Sequence, residues 1–99
     1  MRTETRDDVL MVLEVGRLTA DTVVVFRELV RVTLTPQHRF VEVDLSQTPT
    51  MDSEGVGALI AIYKKVRERG GSVRLLRPTP FVSQLVQLLR LEHVLTLVD

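Results

Sequence analysis

The residues with the most chemical potential are Asp52-Ser53-Glu54-Gly55-Val56-Gly57, where a carboxylate, a hydroxyl and two glycines open an apolar, helix-forming run. Asp44-Leu45-Ser46 closes a β-rich stretch just before them, so the segment reads as a strand-to-helix junction. In α/β sheets such junctions present functional groups, and the unpaired N–H groups of a helix start favour an anion. A phosphate on Ser53 suits that place. The plainer reading makes Ser53 an N-terminal cap worth about 1 kcal/mol. Asp52 reads as the true cap, with Ser53 one position inside, or as the group that accepts the serine proton. Gly55 and Gly57 each cost roughly 1 kcal/mol against Ala inside a helix, which predicts close approach to that backbone by a partner or by the chain itself.

Other chemistry is sparse. Asp44 reads as a turn cap rather than a metal ligand. His38 in a polar turn and His93 near the last strand each read as surface residues, too far apart in element order for a metal or catalytic pair. Arg74 and Arg77 read as solvated sheet-edge and turn residues. With no Cys there is no thiolate and no Cys-ligated zinc. No Walker-type motif and no nucleophile with a nearby base can be assembled. Neither catalysis, nor a cofactor, nor a metal is expected. Thirteen Lys+Arg balance thirteen Asp+Glu, so no general field draws nucleic acid or anionic membrane. No stretch approaches the roughly 20 apolar residues of a membrane span, and the charged start MRTETRDDV lacks a signal-peptide core, which predicts a cytoplasmic protein without membrane insertion.

The elements that must position the junction follow from periodicity. The 99 residues suffice for one domain, residues 1–99, with 44% hydrophobic and 26% charged residues as in ordinary globular chains. Residues 9–15, VLMVLEV, read as a buried strand, with a short antiparallel strand within residues 2–6 before it. From Asp21 the apolar Val24, Val25, Leu29 and Val32 recur at helical spacing, with Thr19 or Asp21 as cap. Residues 40–45 alternate as a strand. Val56, Leu59, Ile60, Tyr63 and Val66 trace one face of a helix from Asp52 or Ser53 to Gly70-Gly71. Residues 72–76 form a strand, and Thr79-Pro80 opens a helix facing inward through Val82, Leu85, Val86 and Leu89. Residues 94–98 close the chain as a strand. Such alternation predicts an α/β fold: a mixed, mostly parallel, four- to five-stranded sheet covered by about three main helices. Gly55, Ala58 and Ile62 form a stripe beside the second helix's inward face. It reads as a partner groove or as the seat of the third helix, with Phe81 and Leu88 covering or extending it.

At this point the chain resembles the STAS domain family, the anti-sigma factor antagonists and their relatives. The family's D-S-S-G-L-G stands here as Asp52-Ser53-Glu54-Gly55-Val56-Gly57. Its G-x-L is Gly16-Arg17-Leu18, its D-L-S is Asp44-Leu45-Ser46, and its G-G is Gly70-Gly71; the helix ending at Leu85 to Leu91 also fits. The resemblance implies a bacterial switch protein whose Ser53 is phosphorylated by a serine-kinase anti-sigma factor of histidine-kinase-like ATPase fold. Unphosphorylated, such a domain holds the kinase and frees a sigma factor; phosphorylated, it lets go. Partner binding would then fall to Asp52, Ser53, Glu54, Gly55, Val56, Gly57, Ala58 and Ile62, with Thr19 and Asp21 beside them. Glu54 replaces the family's second serine, and Thr19 stands where an acidic residue is usual. These two departures argue modestly for an alternative, a constitutive STAS adaptor in a larger assembly such as a lipid-transport ABC complex or a sensory complex.

Overall fold

A computed structural model describes residues 1–99. The elements run β1 (Arg2–Arg6), β2 (Val9–Leu13), α1 (Val23–Thr33), β3 (Phe40–Asp44), α2 (Ser53–Arg67), β4 (Ser72–Leu76), α3 (Pro80–Leu88) and β5 (Leu95–Val98). They form one five-stranded sheet in the order β1-β2-β3-β4-β5. The β1–β2 hairpin is antiparallel and every other pair is parallel. Asp7 turns the hairpin in the left-handed region, φ 55, which a short polar side chain tolerates. Glu14, also left-handed at φ 58, ends β2 two residues before the predicted limit.

Strand order decides where the helices go. Each crossover steps to the next strand in the same direction, and right-handed crossovers that all advance one way leave every helix on one face. That face carries Leu10, Val12, Val41, Val43, Val73, Leu75 and Leu95, which meet Phe26, Leu59, Val66, Val82 and Val86 in one core cluster. The helix-covered sheet expected from alternation is therefore covered on one side. On the other side Arg39 and Arg74 lie over the Phe40 ring, 5.3 and 5.1 Å from its centroid, and Arg74 pairs with Glu42 at 3.3 Å. Long polar side chains thus shield the Phe40 ring on the open face. Arg74 stands on an interior strand, not at the predicted edge.

Helix α1 forms where expected but turns a different stripe inward. Val23, Phe26 and Val30 are buried, whereas Val24, Val25 and Val32 are 69, 62 and 59% exposed. Three successive valines make periodicity blind to phase, and the large Phe26 ring sets it by filling the core. Neither Thr19 nor Asp21 caps this helix with its side chain. The Thr19 carbonyl instead accepts the N–H groups of Thr22 and Val23, and the Thr19 N–H donates to the Thr22 hydroxyl. In α3, Thr79 takes the cap position and Pro80 the first turn, as expected, but the Thr79 hydroxyl donates to the Thr48 carbonyl at 2.7 Å. Val82 and Val86 are buried and Leu85 half-buried, while Leu89, expected inside, lies past the helix end at 49% exposure.

His38 is the other departure. Expected at the surface, it is 5% exposed, because its ring is held between the neighbouring Thr35 and the distant Thr5 of β1. Its Nδ1 accepts the Thr35 N–H at 3.0 Å, so the ring proton sits on Nε2 and is donated to the Thr5 hydroxyl at 3.0 Å. Arg69 in turn donates to the His38 carbonyl. His38→Ala should cost about 1–3 kcal/mol in urea unfolding, through lost packing and two lost hydrogen bonds. A cost below about 0.5 kcal/mol, the usual range of surface changes, would contradict a structural histidine.

Candidate functional site

The N-terminus of α2 meets the loop between β2 and α1, and backbone pairing brings the two together. Leu18 N–H donates to the Thr50 carbonyl at 3.1 Å and Asp52 N–H to the Leu18 carbonyl at 3.3 Å, forming a short parallel bridge between Leu18 and Met51. Asp52 then ties the junction with its side chain. One carboxylate oxygen accepts the Ala20 N–H at 2.9 Å; the other accepts those of Glu54 and Gly55 at 3.0 and 3.1 Å. Asp52 is therefore the N-cap, and Ser53 stands one position inside, exposed, its hydroxyl released from capping. Glu54 is exposed in the same first turn.

The two glycines of the motif differ in cause. A Cβ on Gly55 would sit 2.2 Å from the Leu18 carbonyl oxygen, so the β2–α1 loop approaches the helix as closely as a backbone without a side chain permits. A Cβ on Gly57 would meet only the Arg27 guanidinium, at 3.6 Å, an ordinary contact. Internal packing accounts for Gly55 and leaves Gly57 without such a need.

Of the residues expected to bind a partner, Thr19, Asp21, Asp52, Ser53 and Glu54 gather at this end of the molecule. Gly55, Val56, Ala58 and Ile62 are buried, and Gly57 is half-buried. The stripe of Ala58 and Ile62 faces Phe26 and Val30 of α1, with which it lines a groove of about 190 Å³. The third helix, one of the two neighbours the sequence allowed for this stripe, does not line that groove, and Phe81 and Leu88 remain 48 and 80% exposed. Sequence reasoning missed Thr48, which is fully buried and donates to the Val15 carbonyl at 2.7 Å, holding the loop before α2 to the end of β2. Its partner is thirty-three residues away, so no local pattern could announce it.

Charge at the junction is fixed by hydrogen bonds. The Ala20 N–H, with those of Gly55 and Glu54, holds the Asp52 carboxyl below its ordinary range. Burial pushes the Asp44 carboxyl up, but the Ser46 N–H and the Arg77 guanidinium outweigh it and leave the group lowered. Asp44 is thus the turn cap expected. Both shifts are depressions, so the stability they contribute is complete above the unfolded carboxylate range and is lost as pH falls through the folded values. Thermal stability should hold from neutral pH to about pH 5 and decline below about pH 4. Asp52→Asn should lower the melting temperature by a few degrees at pH 7 and flatten the acid decline. An unchanged melting temperature would show that the three N–H contacts do not hold the junction.

No group of three or more His, Asp or Glu is placed to hold a metal, and no helix is long and apolar enough to cross a membrane. A family model described as "Mlab, STAS domain" matches residues 1–99. No curated protein matches the chain. Among solved structures, a candidate anti-sigma factor antagonist from Thermotoga maritima is 22% identical, with a TM-score of 0.89 over 99% of this chain and 85% of that one. The anti-sigma factor antagonist SpoIIAA in its unphosphorylated form is 19% identical, with a TM-score of 0.82 over 99% of this chain and 87% of that one. The phosphorylated form of SpoIIAA, a Bacillus cell fate determinant, gives 0.71 at 19% identity over 99 and 90%. At such identities the likeness establishes the fold. The family match, spanning every element from β1 to β5, goes further: this chain belongs to the STAS domain family.

Proposed function

We propose that the chain is an anti-sigma factor antagonist of bacterial cytoplasm that holds a serine-kinase anti-sigma factor while unphosphorylated and is released when Ser53 carries phosphate. The observation that carries this reading is the position of Ser53. It is exposed on the first turn of α2, and Asp52 fills the cap that would otherwise engage its hydroxyl. The fold is shared with a protein solved in both phosphorylated and unphosphorylated forms. A phosphate adds about −1.5 to −2 charges, which a helix N-terminus accommodates and a docked apolar or acidic surface does not. The fold would survive and the complex would fail. The kinase supplies all the chemistry; this chain supplies the hydroxyl and the surface.

The test is incubation with a candidate serine-kinase anti-sigma factor from the same genome and ATP. The unmodified chain should form a complex, take one phosphate at Ser53, and dissociate. Stable binding that ignores both ATP and Ser53 would contradict the switch and support a constitutive adaptor.

A further inference from the structure

We infer that the groove between α1 and α2 is the seat of an acidic amphipathic helix of the partner, which presses one apolar side chain between Phe26, Val30, Ala58 and Ile62 and sets carboxylates against Arg27 and Lys65. The inference rests on the partner-binding reading above and names the chemistry of what docks.

Size comes first. A space of about 190 Å³ lined mainly by apolar residues is large enough for a single side chain such as Leu or Phe, since an apolar cavity of about 150 Å³ holds a benzene ring. Charge comes second. Arg27 and Lys65 stand on opposite walls of the groove, and neither pairs with a carboxylate of this chain, whereas Arg31 on the same rim is taken by Glu28 at 2.6 Å. An apolar floor between unpaired cations matches a helix with an apolar anchor flanked by Glu or Asp. Backbone approach comes third. Ser53, Gly57 and Ala61 follow one another at four-residue spacing and so share one ridge of α2, alongside the groove. With no side chain at Gly57, that turn carries only the Arg27 guanidinium, 3.6 Å from where a Cβ would sit, so a partner helix whose carboxylate takes Arg27 lies close to the turn. The open sheet face competes less well, because its aromatic ring, Phe40, already lies beneath the chain's own Arg39 and Arg74, and Arg74 pairs with Glu42.

The same placement links the groove to Ser53. A helix lying along that ridge brings its carboxylates toward the first turn of α2, where a phosphate would repel them. Phosphorylation then acts on this contact by like charge and needs no change of fold.

The experiment titrates the isotope-labelled, unphosphorylated protein with a synthetic helical peptide of about 16 residues, leucines at i, i+3 and i+7 and glutamates flanking them. Amide shifts should fall at Phe26, Arg27, Val30, Ala61 and Ile62. Binding should weaken about tenfold or more when lysines replace the peptide's glutamates, and equally in the doubly reversed Arg27→Glu, Lys65→Glu protein. Ala61→Trp, at an exposed position on the groove's edge, should block the peptide while leaving the fold intact. Equal binding of both peptides, shifts on the open sheet face, or no shifts at all would overturn the inference. So would a dimer of this chain seated on the groove in sedimentation. None of these measurements involves ATP or phosphate, so failure here leaves the Ser53 switch standing, and failure of the switch leaves this groove to be judged separately.

Discussion

Gly55→Ala should destabilise the protein by about 2–3 kcal/mol. The new Cβ would lie 2.2 Å from the Leu18 carbonyl oxygen and 3.1 Å from its carbon, and backbone cannot yield as a side-chain tip can. The β2–α1 loop would have to retreat, stretching the hydrogen bonds from Asp52 N–H to Leu18 and from Ala20 N–H to Asp52. In a domain of this size such a loss lowers the melting temperature by roughly 10 °C or more. Gly57→Ala, two residues on, has the opposite sign. Its Cβ meets only a guanidinium at 3.6 Å, so the helix gains up to about 1 kcal/mol from replacing glycine. Circular dichroism melts of the two variants decide the matter. Equal losses would mean that the close approach at Leu18 is not what holds glycine at position 55. A stabilised Gly57→Ala protein with weakened partner binding would place the partner's backbone against that turn.

Ser53→Asp should leave the fold intact and weaken kinase binding about thirtyfold or more. The melting temperature should stay level or rise slightly, since a carboxylate near a helix N-terminus is stabilising by about 0.3–1 kcal/mol. Binding falls because a fixed charge must be desolvated beside Glu54, already exposed and negative in the same turn, against a surface that accepted a hydroxyl. A penalty of about 2 kcal/mol corresponds to that thirtyfold loss. Ser53→Ala removes no hydrogen bond of the cap, which Asp52 makes alone, and should bind as the wild type does while resisting phosphate. Titration calorimetry against the kinase separates the outcomes. Undiminished binding by Ser53→Asp would contradict the switch, and an unfolded Ser53→Asp protein would contradict the tolerance of the helix end for charge.

The junction was legible because its chemistry is local. Asp52, Ser53 and Gly55 lie within one turn, so the cap and the need for glycine could be read from spacing, although the atom that requires Gly55 belongs to Leu18, thirty-seven positions away. Strand types and order of elements were legible for the same reason: alternation and turn residues act over a few positions. What failed to show depends on tertiary placement. The phase of α1 was hidden by Val23, Val24 and Val25, three equally apolar neighbours, and was set by Phe26. The open side of the sheet follows from the direction of every crossover, a property of topology that no single segment carries. His38 and Thr48 are buried by hydrogen bonds to Thr5 and Val15 across the fold. The Ala58 and Ile62 stripe was visible as a stripe, but which helix faced it was not.

The central claim, that Ser53 is the phosphate-bearing switch, is tested most directly by intact mass and site mapping of the protein purified from its native host. The account predicts a fraction heavier by one phosphate, with the modification on Ser53 and lost in Ser53→Ala. Absence of that phosphate, including after co-expression with neighbouring kinase-like genes, would contradict it.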